Sequence, residues 1–172
     1  MLDLLVVWGV TQAVGFAFKP VLEELAKDAA KDYVKDFFKS LPGELSQRFS
    51  KEPLQKAVGK ALKEFLGLVQ QELEDADFEE QEIREYIKPL KKFVKDKTVA
   101  ETLGSAFEHN CQFIDSKTLH DTWQQLDLLS LPDEFNWELL AKRYLKKAKA
   151  ILREDGELRN ILDSQNIETI AA

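Results

Sequence analysis

The sequence predicts an all-α protein, a multi-helix bundle of about six to eight helices with no sheet. Three observations carry this expectation. Apolar residues recur at steps of three and four through most of the chain, the period of one helix face. No stretch alternates apolar and polar residues as a half-buried strand would. Helix breakers are few, with seven glycines and five prolines in 172 residues, and no segment repeats another.

The first nineteen residues stand apart. Between Asp3 and Lys19 there is no charge, and a helix apolar all round must be buried in a core, a partner or lipid. Leu4 to Phe18 would span roughly 22 Å at about 1.5 Å per residue, short of the ~30 Å hydrocarbon thickness of a bilayer. Asp3 stands where a secretory signal needs basic residues, and no small-residue cleavage site precedes Lys19. Gly9, Ala13 and Ala17 form a small-residue stripe, with Trp8, Phe16 and Phe18 as bulk on other faces. These six are the candidate interaction or membrane face, on a helix read as packed in the resting bundle, with departure into a membrane or filament as the other reading.

From Pro20 the pattern turns amphipathic, through Leu22, Leu25, Tyr33, Val34, Phe37 and Leu41. Pro20 fits a first helical turn or a bend, and Leu41-Pro42-Gly43 ends the segment. A short helix is expected over 44–49, with Ser50 available to cap the next. That next helix carries Leu54, Ala57, Val58, Ala61, Leu62, Phe65, Leu66, Val69 and Leu73 on one broad stripe. From Glu72 to Glu85 there are eight carboxylates and one arginine. Asp77-Phe-Glu-Glu80 reads as a capping box, and the acidity suits either a docking site or the solvated, dipole-matched start of a helix. Lys88, Lys91, Lys92, Lys95 and Lys97 follow toward that helix's far end. Pro89 predicts a kink near Ile87.

Thr98-Val-Ala-Glu101 is a second capping box, and Asp115 or Ser116 is placed to cap a short helix bearing Leu119, Trp123 and Leu126. The connector from Leu128 to Trp137 should clip onto the bundle through its apolar residues. Asp133 or Asn136 opens a long helix through Leu140, Tyr144, Ala148 and Ile151, with Asp155-Gly156 as its C-cap. A last short helix is expected over 157–163.

Chemistry is harder to find. Gly59-Lys60 lies mid-helix with Leu54 where a phosphate loop needs its first glycine. His109, Cys111 and His120 match no zinc spacing, and no third group is specified to orient a Cys–His nucleophile. No catalytic, metal or cofactor-binding residue is expected, and the chain is read as no enzyme. The one cysteine fits a reducing, cytoplasmic setting. The net charge of −7 argues against general nucleic-acid affinity. The concentrated basic stretch holds Lys142, Arg143, Lys146, Lys147, Lys149 and Arg153. Lys142, Lys146, Lys149 and Arg153 share one helix face, a stripe suited to phosphate groups or to the polar back of an amphipathic helix.

Five segments occur in fixed order: Phe93-Val-Lys-Asp-Lys97, Leu103-Gly-Ser-Ala-Phe107, Leu129-Ser-Leu-Pro-Asp-Glu-Phe-Asn-Trp137, Lys142-Arg-Tyr-Leu-Lys-Lys147, and the run from Ile151 to Asn166. Together they resemble the N-terminal helical region of bacterial, mainly cyanobacterial, NACHT-type signal-transduction NTPases. The resemblance runs over most of the chain and is densest from Phe93 to Asn166. It implies one helical domain over 1–166, with a long N-terminal hairpin over 1–74 and a helical cluster over 78–166. Residues 167–172 then read as a tail leading to an NTPase module absent from this chain. It also implies a non-enzymatic interaction, effector or autoregulatory module acting by induced proximity, with the downstream NTPase in the same full-length chain as partner and self-association on activation. Membrane perturbation by the first helix and nucleic-acid binding by the 142–153 helix stand as the alternatives.

Overall fold

The computed structural model describes residues 16–28, 30–38, 52–107 and 114–159. Eight helices run through them: α1 (Lys19–Asp28), α2 (Ala30–Phe37), α3 (Glu52–Asp75), α4 (Glu80–Arg84), α5 (Ile87–Lys95), α6 (Lys97–Ser105), α7 (Ser116–Gln125) and α8 (Trp137–Glu154). There is no strand among the described residues, so the all-α expectation holds. The short helix over 44–49, the Ser50 cap and the 41–43 terminator lie outside the described residues.

α3 is the axis of the bundle. Its predicted stripe is buried throughout, and Pro53, Gly59 and Leu68 widen it until neighbours cover most of the circumference. α8 packs along α3 most extensively, α2 lies on α6, and α1 lies on α5. α5, α6, α7 and α8 each touch the next in turn. Buried side chains from Phe18 to Leu158 join one hydrophobic core. Glu24 of α1 is tied to α5 by Lys95 at 2.6 Å and Lys91 at 3.7 Å.

The crossing of α2 and α6 is unusually close. A Cβ placed on Gly104 would stand 1.5 Å from the carbonyl oxygen of Phe37 and 2.5 Å from its carbonyl carbon. Only glycine lets the two backbones approach this far. Phe37, with Phe38 at 5.0 Å and Phe107 at 5.6 Å between ring centroids, fills the space around that crossing.

The helix ends refine the sequence reading. α1 does begin at Pro20's first turn, after a turn at Ala17–Phe18. The box assigned to Asp77 and Glu80 forms two residues later, where Glu82 Oε1 accepts the Glu79 amide at 3.1 Å. Asp77 is occupied in ending α3. It sits at φ 65°, its amide donates to Glu74, and the Phe78 amide donates to Leu73. This is the left-handed termination that usually uses glycine. The box at Thr98 and Glu101 is likewise replaced: Asp96 is extended and accepts the amides of Thr98 and Val99.

Pro89 brings a complete break instead of a kink. α4 stops at Arg84 and α5 restarts at Ile87, which puts Pro89 in a first turn where its missing N–H satisfies no bond anyway. Asp115 and Asn136 cap α7 and α8 as predicted, accepting from Thr118 and Leu139. Asp155-Gly156 forms no left-handed cap. Asp155 is extended and accepts the Leu158 amide, so it opens helical backbone at 156–159.

Candidate interaction surface

Three of the six apolar candidates fall on described residues. Phe18 is wholly buried, and Phe16 and Ala17 are half-buried against the core. The Phe16 and Phe18 rings meet edge to face at 6.3 Å, and the Ala17 amide donates to Gln70 Oε1 at 3.0 Å. Trp8, Gly9 and Ala13 lie outside the described residues, as do His109 and Cys111. His120 is exposed and faces Gln124 Nε2 at 3.2 Å. Among the described residues no group of three or more His, Cys, Asp or Glu is placed to hold a metal, and no helix is long and apolar enough to cross a membrane.

The basic stretch splits in two once folded. α8 turns Tyr144 inward, where it is wholly buried and donates its hydroxyl to the Leu103 carbonyl at 2.8 Å. Arg143 and Lys147 flank that seam and reach back to α3, pairing with Glu72 and Glu64, both at 3.6 Å. Glu72 is buried and also accepts the Asn136 amide at the start of α8, so it places a negative charge at a helix N-terminus. The remaining four, Lys142, Lys146, Lys149 and Arg153, are exposed. None of them has an ion-pair partner among the described residues. They form an uncompensated ridge down the outer side of α8.

Beside the N-terminal end of this ridge, α7 and the connector after it enclose an open groove of about 920 Å³. The connector is held in place at both sides of its turn. Trp123 donates its indole N–H to the Leu129 carbonyl at 3.0 Å, and the Tyr86 hydroxyl donates to the Ser130 carbonyl. Burial and the nearby carboxylates of Glu85 and Glu82 push the Tyr86 phenol up, keeping it a donor. Trp123, Phe135 and Trp137 supply the aromatic wall, with Trp123 and Trp137 centroids 6.2 Å apart and Phe135 and Trp137 4.9 Å apart. The rim is acidic: Asp127, Asp133, Glu134 and Glu138 are exposed, against a single ammonium from Lys117. Asp127 owes its place to a second left-handed helix end, at φ 52°. The sequence reading had the connector clipped to the bundle but missed the groove. Four carboxylates interleaved with Trp123, Phe135 and Trp137 within sixteen residues were the available signal.

The fold is therefore a helical module with opposite charges displayed side by side and no assembled catalytic cluster among its described residues. The family model for NACHT N-terminal Helical domain 2 matches residues 25–172. The chain belongs to that family. As a NACHT N-terminal helical domain it is an N-terminal module that accompanies a NACHT module in the same polypeptide. The match takes in α2 to α8 and the last four residues of α1, with the uncharged opening segment ahead of it. No curated protein and no solved structure matches the chain.

Proposed function

We propose that this module is the non-enzymatic interaction or effector arm of its NACHT protein and works by induced proximity. The observation that carries the reading is an acidic, aromatic-walled groove adjoining a basic ridge along α8 that is unpaired among the described residues. Such surfaces are solvated at no great cost in a lone copy and become useful when copies are concentrated. Oligomerisation of the accompanying NTPase would supply that concentration, and the helical module would pass the change on through protein contacts.

Two other occupants of these surfaces fit less well. Nucleic acid bound along α8 would want exposed rings for stacking, and Tyr144, the one aromatic within the basic stretch, has no exposed surface. Membrane insertion by the opening segment would have to pull Phe18 from the core.

The experiment is to fuse the 172-residue chain to a drug-inducible oligomerisation tag and express it in a host cell. Growth and proximity labelling are then followed with and without the drug. Drug-dependent labelling of a discrete protein set, or drug-dependent growth arrest, supports the reading. A chain whose labelling and growth are unchanged by assembly refutes it.

A further inference from the structure

The groove and the ridge answer each other in charge, size and surface, yet one copy cannot bring them together. Glu138 of the groove rim and Lys142 of the ridge are successive members of the same face of α8, one turn apart. Because both belong to one rigid helix, the ridge cannot fold back into the groove beside it. Among the described residues neither surface meets its complement within the same copy, and a second copy carries both. The groove asks for a basic, partly aliphatic helix face. Its walls are aromatic, Leu129 and Leu139 are the exposed large apolar side chains nearby, and four exposed carboxylates stand on its rim. The ridge of α8 is such a face: four cations in a strip about 60° wide, with the exposed Ala150 alongside.

We infer that the groove of one copy receives the α8 ridge of a second copy. This rests on the induced-proximity reading and names the contact through which it acts. The partner is identical in sequence, so each copy carries both halves, and the contact is made twice across a two-fold or repeats along an assembly. The chain's charge pattern also sets when it forms. With a net charge of −7 per copy, free copies repel at long range, whereas the local groove and ridge attract within about a Debye length. The contact is thus weak between free copies and strong between tethered ones.

The test is sedimentation equilibrium of the 172-residue chain at concentrations up to about 1 mM, the effective concentration a short linker provides. At about 0.1 M salt, where the Debye length is about 10 Å, the weight-average mass should rise above 19.7 kDa and return to it as more salt is added. Reversing the ridge with Lys146→Glu and Lys149→Glu should weaken association at least about tenfold, as should reversing the rim with Asp133→Lys and Glu134→Lys. All four positions are exposed, and circular dichroism verifies that each variant remains folded. Mixing the two variants matches a reversed ridge with a reversed rim and should restore association in a mixed complex. A wild-type chain that stays at 19.7 kDa throughout overturns the inference. So does association that survives both reversals, or a mixture that fails to recover it. Binding of the wild-type ridge to vesicles of anionic phospholipid without self-association would assign it to lipid and overturn it too. If both reversed variants still respond to the inducible tag, this contact is refuted while induced proximity stands. A wild-type chain that does not respond removes the broader reading.

Discussion

Gly104→Ala tests the closest helix contact in the molecule. On an exposed helix the change would be favourable, because alanine is preferred to glycine in a helix interior by about 1 kcal/mol. Here the added methyl would lie 1.5 Å from the Phe37 carbonyl oxygen, where an ordinary contact needs about 3.5 Å. Neither atom is the end of a flexible side chain, so α6 and α2 must part by about 2 Å. That opens the packing around Phe37, Phe38 and Phe107, all at least 96% buried. Overpacking of this kind costs about 1–3 kcal/mol and occasionally more, so the net loss is set at about 2 kcal/mol. For a chain of this size it lowers Tm by roughly 4–8 °C. Gly67→Ala is the internal control. Gly67 is also within a helix, but nothing lies within 4 Å of its added Cβ, so that variant should gain about 0.5–1 kcal/mol. Urea denaturation followed by circular dichroism reads both, with unchanged slopes showing that the unfolding transition has kept its character. If Gly104→Ala proved as stable as Gly67→Ala, the close approach of α2 and α6 would be wrong.

Asp77→Gly should stabilise the chain by about 0.5–1 kcal/mol, because it relieves a left-handed residue at φ 65°; a lower urea midpoint would contradict the α3 termination described above. Glu72→Ala should cost about 2 kcal/mol, since it removes the acceptor of the Asn136 amide and the partner of Arg143. A loss below about 0.5 kcal/mol would show that the α3–α8 seam does not depend on it. Stability should also fall in acid. The hydrogen bond and charge of Lys95 beside Glu24, and Thr118 beside Asp115, hold both carboxyls below the usual carboxylate range. Their contribution is complete above that range and is lost as pH drops through the lowered folded values. Glu24→Gln should therefore lower stability near neutrality and converge on the wild type in acid. A difference that grows in acid would reverse the assignment.

Helices were legible from the sequence because their signal is local. The stripe from Leu54 to Leu73 needs only the 3.6-residue period to reveal α3, and every member of it is buried. Caps were half legible. Asp115 and Asn136 each stood before an unambiguous apolar run, whereas around Asp77 and Asp96 acidic and hydroxyl residues fit the motif in more than one register. Backbone conformation decided between them: Asp77 is left-handed and so cannot be the extended residue that opens a helix. Pairings between distant residues were not legible at all. Nothing near Arg143 in sequence announces Glu72, and nothing near Gly104 announces the carbonyl of Phe37. Division of the basic stretch into tied and free cations, and hence the shape of the candidate surface, depended on α8 lying against α3.

The aromatic wall of the groove has a practical consequence for watching it. The chain has three tryptophans, and two of them, Trp123 and Trp137, line the groove with ring centroids 6.2 Å apart. Indoles at that separation exchange excitation, and with only 4% and 8% of their surfaces exposed their emission follows the packing of the groove wall. With Trp8 replaced by phenylalanine, all remaining indole fluorescence would come from this one place. The molecule would then report occupancy of its own groove without a dye, by an emission shift on binding and by a near-ultraviolet dichroic band sensitive to the angle between the two rings.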